Sequence, residues 1–210
     1  MKPLLYMILA TGLLTACHST RVVTPLEPGE LRVGAHVGGP AVDVSGIELP
    51  APSTSLYLAY GWDQRTSIYT GLNISELNYW MLHQDVGAVT RIAGGRSEHA
   101  PQLLLNYGVH QYWSLVGTGG NTYPHFGLHA AWPTALGWQP YAGVNQWITP
   151  NNMDHPWWRP NAFMGMQKVS EQWIYGLEVK ALSNMTISQT QFGNWGLYVN
   201  VAYRLETFQR

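Results

Sequence analysis

Histidine and aspartate stand close together in two segments of this chain. One segment contains His83 and Asp85, and the other contains Asp154 and His155. A histidine oriented by a carboxylate can act as a general base, so both pairs are candidates for acid–base catalysis. Neither pair has a serine or an acid cluster placed distinctively beside it. We therefore expect no catalytic residues, and an enzyme that acts on lipid or peptide is retained as the alternative.

A second group of histidines shares one face of the strands predicted below. His125 and His129 lie on one such strand, and His36 and His110 point the same way on two others. Three imidazoles can ligate zinc or copper. However, residues i and i+4 of a strand are about 13 Å apart, too far for one ion. We therefore expect hydrogen-bonding interior histidines, no metal and no cofactor.

The N-terminus carries a different kind of chemistry. Lys2 is followed by an apolar run over 4–14, which is typical of a secretory signal and too short for a spanning helix of about 20 residues. The stretch Leu14-Thr15-Ala16-Cys17 ends in the single cysteine of the chain. This stretch resembles the bacterial lipobox. The alternative is an ordinary signal peptide with a chance cysteine.

The lipobox resemblance implies that the Cys17 thiol receives a diacylglycerol and that Cys17 becomes the new N-terminus. In that family an aspartate after the cysteine retains the protein at the inner membrane. Here His18 follows, which implies the outer membrane of a Gram-negative cell. We therefore predict a signal peptide over 1–16, a lipidated tether over 17–29 and one domain over 30–210.

The domain shows the period-two alternation of strands and no helical period. Ten segments carry this alternation. They are 30–39, 54–62, 66–74, 86–92, 101–110, 123–132, 138–147, 159–168, 173–182 and 194–205. Most are close to the about 9–11 residues that a tilted strand needs to cross a bilayer.

The two faces of these segments differ in chemistry. One face is apolar and almost free of charge, as in Leu56, Leu58 and Tyr60. The other face carries a glycine in every strand, and its remaining members include most of the strand charges, several asparagines and large aromatic residues. They are Arg32, Arg91, Glu178, Lys180, Arg204, Asn73, Asn106, Asn145, Asn200, Tyr57, Tyr69, Tyr141, Phe163 and Tyr198.

Two closed architectures share this alternation. A lipocalin-like soluble barrel places the apolar face inside, whereas a membrane barrel places it outside. A water-facing surface has no need for glycine, which weakens a strand. A narrow lumen needs small residues, so that large side chains fit across it, and there Glu178 can pair with Lys180 or an arginine. We therefore predict an all-β, closed, antiparallel up-and-down transmembrane barrel of about ten strands.

Connections and composition agree with this prediction. On the predicted boundaries every odd-numbered connection is longer than every even-numbered one, as in outer-membrane barrels with long outer loops. Trp62, Trp132, Trp138, Trp173 and Trp195 fall near strand ends, as an interfacial girdle requires. Charged residues form only 11% of the chain, against about 25% in soluble domains. The pattern of residues 30–205 thus resembles outer-membrane β-barrels.

The expected role is structural or surface-interacting. Aromatic residues in the predicted outer loops, including Tyr79, Trp80 and Trp113, favour contact with envelope proteins or surface glycans, besides the outer-membrane lipid. A net charge of −1 offers no basic surface for nucleic acid. The large inward aromatics argue against an open pore.

Overall fold

The structure of the chain is a computed structural model. The structure describes residues 19–44, 47–50, 53–95, 100–148, 158–183 and 192–205. Within these ranges it contains no helix that is both long enough and apolar enough to cross a membrane.

In the described residues, eleven strands and one short helix follow one another, each strand antiparallel to its neighbours. The elements are β1 (Leu31–Val44), β2 (Ile47–Pro50), β3 (Ser53–Gly61), β4 (Thr66–Asn73), the 3₁₀ helix η1 (Ile74–Tyr79), β5 (Met81–Gly94), β6 (Gln102–Ser114), β7 (Gly120–Ala131), β8 (Trp138–Ile148), β9 (Trp158–Val169), β10 (Trp173–Ser183) and β11 (Phe192–Leu205). The short β2 pairs only with 41–44 of β1.

Ten strands, β1 and β3 to β11, form the barrel. Each pairs with the next in sequence, and β11 pairs with β1 from Leu31↔Leu205 to Pro40↔Gly196. This last pairing removes both sheet edges, whose unpaired backbone groups cost several kcal/mol each in lipid. The predicted fold class, a closed antiparallel up-and-down barrel of ten strands, is confirmed.

The two faces of the strands lie as the sequence predicts. Leu56 and Leu58 of β3 point outward and are 46% and 42% exposed, whereas Tyr57 and Ala59 between them are buried. The same alternation holds along β4 and β7. The apolar surface of the barrel is therefore its outer surface, which is opposite to the lipocalin-like alternative.

The inward glycines make room for the inward aromatic rings. A Cβ at Gly34 would collide with the ring of Tyr57, and one at Gly165 would lie 2.5 Å from the ring carbon Cζ of Tyr141. Both rings are buried in the lumen. The interior is therefore packed by large side chains of some strands against the bare backbone of others.

The barrel has two distinct ends. We call the end where β1 begins and β11 finishes the turn end, and it carries the connections 62–65 and 170–172. We call the opposite end the loop end, and it carries η1 and the connection 115–119. The predicted strict alternation of connection lengths is wrong, because 115–119 is shorter than 95–101 at the turn end.

The reason for this difference is that two strands are longer than the sequence pattern indicates. β5 begins at Met81 rather than at 86, and β6 continues to Ser114 rather than to 110. The pairing runs from Met81↔Ser114 without interruption to Arg91↔Leu104. Residues expected in outer loops therefore lie in strands. The short β2 was not predicted.

Tryptophans mark the turn end. Trp62 and Trp132 follow β3 and β7, while Trp138 and Trp173 begin β8 and β10, and all four side chains are exposed. The ring of Trp173 also packs edge-on against Tyr203 at 4.9 Å. This ring of exposed aromatics has the position expected of an interfacial girdle.

Candidate functional site: the occupied lumen

The lumen contains part of the chain's own N-terminal region. Residues 19–30, which we call the luminal segment, have no regular secondary structure; residues 19–26 lie inside the barrel, and Glu27 and Pro28 are exposed at its turn end. Val22, Val23 and Leu26 join the buried core together with inward strand residues such as Tyr57 and Tyr69. In the described part of the predicted tether over 17–29, residues 19–26 pack inside the barrel.

Arg21 is the centre of the contacts at the loop-end side of the lumen. Its Nε and Nη2 donate to the two carboxylate oxygens of Asp85 at 3.1 and 2.8 Å, a bidentate ion pair. The guanidinium also donates to Ser55 Oγ and, at 3.4 Å, to Asn73 Oδ1. Arg21 is 2% and Asp85 0% exposed. Removal of either partner would leave an unpaired charge in the interior.

Gly71 explains how this ion pair fits. A Cβ at Gly71 would collide with Asp85 Oδ1 and would lie 2.8 Å from Arg21 Nη2. The bare backbone of β4 thus supplies the space in which the guanidinium meets the carboxylate. A side chain at this position would force the ends of the two ion-paired side chains to shift.

Glu178 holds the luminal segment on the opposite wall. Both of its carboxylate oxygens accept the backbone N–H of Thr20, at 3.1 and 3.2 Å. The hydroxyl of Tyr141 donates to Oε2 at 3.1 Å, and Lys180 Nζ lies 3.5 Å from Oε1. The predicted pairing of Glu178 with Lys180 is confirmed, and the luminal segment adds a partner that the sequence did not predict.

Backbone contacts secure the segment toward the turn end. His129 Nε2 donates to the carbonyl of Val23 at 2.8 Å, and the N–H of Leu26 donates to Ser67 Oγ at 2.7 Å. Gly61 both donates to the Glu30 carbonyl and accepts from the Gly29 N–H, each at 2.9 Å. The turn that precedes β1 is therefore joined to the end of β3 by backbone hydrogen bonds, as two neighbouring strands are.

A chain of histidines lines the loop-end part of the lumen. His83 Nδ1 lies 2.8 Å from Glu76 Oε1, and its Nε2 lies 3.1 Å from His110 Nδ1. The His110 ring approaches the His125 ring at 4.6 Å between centroids. Trp147 stacks on His110 at 3.9 Å. These imidazoles are packed and hydrogen-bonded interior groups.

The predicted histidine group is thus only partly brought together. His110 and His125 meet, whereas His129 bonds to the luminal segment and His36 lies against the Tyr57 ring at 4.8 Å. His83, which sequence reasoning placed in a loop, completes the cluster instead. In the described part of the chain, no three His, Cys, Asp or Glu side chains converge as a metal site would require.

The predicted strand boundaries leave His83 and Asp85 in an outer loop over 75–85, and this placement is wrong. Both side chains point into the lumen from β5 and are at most 1% exposed. Both residues belong to a strand that pairs with β4 on one side and with β6 on the other, and not to an outer loop. Cys17, Asp154 and His155 lie outside the described residues.

The contact between Glu76 and His83 supports a stability prediction. Replacing Glu76 with alanine should lower the free energy of unfolding by about 1–3 kcal/mol, because a buried imidazole loses its hydrogen-bond partner. Urea titration of the barrel in detergent micelles, followed by tryptophan fluorescence, measures this loss. Glu171→Ala, in the exposed turn 170–172, is the matched control and should change stability by no more than about 0.5 kcal/mol. Equal effects of the two variants would contradict the prediction.

A polar cavity lies at the turn end, beside the luminal segment. Its volume is about 210 Å³. Charged lining residues of both signs surround it, namely Glu27, Glu30, Arg32, Arg91 and Arg204. Glu30 pairs with Arg32 at 2.9 Å and lies 3.3 Å from Arg204. Ion pairing within the chain therefore neutralises much of the charge at this mouth.

Solved structures with a similar fold are membrane barrels. The chain is similar to the NanC porin, with 10% identity and a TM-score of 0.44 over 84% of this chain and 99% of that chain. It is similar to the outer membrane protein OprG from Pseudomonas aeruginosa, with 11% identity and a TM-score of 0.36 over 87% and 98%. A de novo designed transmembrane β-barrel gives 13% identity and a TM-score of 0.38 over 87% and 100%. No protein-family model and no curated protein matches the sequence. Likeness at this level carries no functional information.

Proposed function

We propose that this chain is an outer-membrane lipoprotein whose barrel spans the membrane and is closed by its own luminal segment. Its role is structural or surface-interacting. Catalysis and open diffusion through the lumen are not part of this role. The observation that carries the proposal is the combination of an apolar outer surface with a lumen occupied by residues 19–26.

The outer surface supports the membrane location. Exposed aliphatic side chains alternate with buried polar ones along each wall, for example Ile68 at 41% beside Ser67 at 0%. Soluble monomers rarely expose more than a few hundred Å² of contiguous apolar area. An apolar surface on all the barrel strands is far larger than that. The hydrocarbon core of a membrane solvates this apolar surface, and the closed hydrogen-bond ladder pairs the backbone N–H and C=O groups.

The lumen supports a role without transport. The segment crosses the space between opposite walls, because Arg21 contacts β3, β4 and β5 while Thr20 contacts Glu178 of β10. A solute would need to displace a buried bidentate ion pair to pass. A lumen that is occupied in this way is closed to solutes while the segment stays in place.

The loop end supports an interaction role. Trp80 and Val116 are 63% and 74% exposed there, and the N–H of Leu115 donates to the Trp80 carbonyl at 2.8 Å. This bond connects η1 to the connection 115–119, so that their apolar side chains form one surface. Envelope proteins and surface glycans are the proposed partners, because aromatic side chains bind both.

Lipidation of Cys17 completes the proposal. Its support is the sequence Leu14-Thr15-Ala16-Cys17 after an apolar run, with no other cysteine in the chain. Metabolic labelling with an alkyne-bearing palmitate should mark the wild type, and Cys17→Ser should lose the mark. Label retained in Cys17→Ser would contradict lipidation at this residue.

Two measurements test the barrel itself. The protein should be recovered in the outer-membrane fraction and should change its gel mobility on boiling, because a closed barrel keeps its compact shape in unheated detergent. Reconstituted in a planar bilayer, it should give no conductance above that of the bare membrane. Recovery as a detergent-free soluble monomer would overturn the membrane location, and steady open-channel currents would overturn the closed lumen.

A further inference from the structure

The luminal segment runs along the inside of the barrel in one direction, and its contacts with the two ends of β4 show which direction this is. Near the turn end, the N–H of Leu26 bonds to Ser67, the second residue of β4. At the loop end, Arg21 Nη2 bonds to Asn73, the last residue of β4. The chain therefore passes from the loop end at Arg21 to the turn end at Glu30, where β1 begins.

Ser19 lies on the N-terminal side of Arg21 and is still buried at 2%. Two residues of chain span at most about 7 Å. The eight residues of β4 extend over about 23 Å. Residues 26 to 19 run toward the loop end, and the two further residues to Cys17 are too few to bring the chain back to the turn end.

We propose that the acylated N-terminus leaves the barrel at the loop end, so that its acyl chains enter the membrane leaflet on that side. This inference rests on the lipidation of Cys17 proposed above. Outer-membrane barrels have their short turns at the periplasmic side, and the turn end carries the short connections 62–65 and 170–172. The turn end then faces the periplasm, and the lipid lies in the outer leaflet. The protein is then anchored from the cell surface through the inside of its own barrel.

The packing of the lumen determines the order of events. Tyr57, Tyr69, Tyr141 and Phe163 belong to one buried core with the luminal segment, so a diacylglycerol that passed through a finished barrel would have to displace these rings. The lipid cannot pass through a finished barrel. The pairing of β1 with β11 must therefore close around a segment that is already in place.

Thiol labelling tests the exit side. His18→Cys, Thr118→Cys and Ser170→Cys are treated with a membrane-impermeant maleimide, first on intact cells and then after permeabilisation of the outer membrane. Thr118 lies in the loop-end connection 115–119 and Ser170 in the turn-end connection 170–172, and both are exposed. We expect His18→Cys to label under the same condition as Thr118→Cys, and Ser170→Cys under the other.

The outcomes separate this inference from the lipidation on which it rests. Denatured wild type that reacts with maleimide has a free Cys17 thiol, and lipidation then fails, whatever the exit side. Labelling of His18→Cys together with Ser170→Cys overturns the exit at the loop end. Labelling only after denaturation also overturns it, because residue 18 would then remain inside the lumen. Since the comparison is between two reference positions, it does not depend on which end faces outward.

Discussion

Replacing Asp85 with alanine should lower the free energy of unfolding by about 3–5 kcal/mol, because it leaves the guanidinium of Arg21 buried without its counter-charge. The two side chains form two hydrogen bonds at 2.8 and 3.1 Å, at a depth where neither is exposed. The remaining contacts of Arg21, to Ser55 and Asn73, are neutral and do not compensate the charge. Urea titration in detergent micelles measures the loss.

The double variant Arg21→Met/Asp85→Leu is the matched control. It removes both charges and fills the same space with apolar groups, so its stability should equal or exceed that of the wild type, by up to about 4 kcal/mol. The single variant Arg21→Met should behave like Asp85→Ala, because it leaves the carboxylate unpaired. A double variant as unstable as the singles would show that the pair matters through shape and not through charge. Wild-type stability of Asp85→Ala would show that the luminal segment does not occupy the lumen as described.

The same ion pair shows where sequence reasoning stops. Period-two alternation identifies the strands of the barrel. Each residue of such a strand faces either the lipid or the lumen, and the two sides differ in chemistry. For this reason the ten barrel strands, the inward Glu178 and Lys180, and the outward Leu56 and Leu58 agree with the predictions. Alternation carries no information on a segment that lies inside the walls.

The luminal segment has the composition of a linker. Thr24-Pro25 and Pro28-Gly29 are the residues of turns and tethers, and the run around Arg21 is too short to show a period. One available signal was charge balance. Inward charges need partners, and the predicted inward set holds Arg32, Arg91, Lys180 and Arg204 but only one acid, Glu178. The missing acid is Glu30, at the start of the first predicted strand, which pairs with Arg32 and Arg204. Asp85, which the predicted boundaries left in a loop, pairs instead with Arg21 of the luminal segment.

The boundary of β5 was lost for a related reason. Its first residues include His83 and Asp85 at inward positions, and both are polar groups that usually indicate a loop. They are tolerated in the strand because Glu76 and Arg21 provide their partners from other parts of the chain. Tertiary pairing of this kind cannot be derived from the local pattern. His83 and Asp85 were interpreted as a catalytic pair in a loop because the start of β5 was placed too late in the sequence.

Gly61 and Gly176 offer a direct comparison of two inward glycines. A Cβ at Gly61 would collide with the backbone carbonyl of Glu27 and would lie 2.8 Å from its carbon. A Cβ at Gly176 would lie 3.4 Å from the Cβ of Asn200, which is an ordinary contact. Neither glycine has a positive φ. The difference between their alanine variants therefore depends on space and not on backbone conformation.

Gly61→Ala should lower the free energy of unfolding by about 1–3 kcal/mol, because a backbone cannot move away as a flexible side chain can. Gly176→Ala should leave stability unchanged or raise it by about 0.4–1 kcal/mol, since alanine restricts the unfolded chain. The sign of the effect thus differs between two substitutions of the same chemistry.

A second measurement connects this loss to the luminal segment. The new methyl group pushes the segment from the wall at the turn end, where Gly61 exchanges backbone hydrogen bonds with Gly29 and Glu30. Trypsin should therefore cut after Arg21 faster in folded Gly61→Ala than in the wild type or in Gly176→Ala, where Arg21 stays buried. If Gly61→Ala loses stability without faster cleavage, the new methyl group has displaced β3 and not the luminal segment. Equal stability and equal cleavage of both variants would mean that residues 27–30 do not lie against β3.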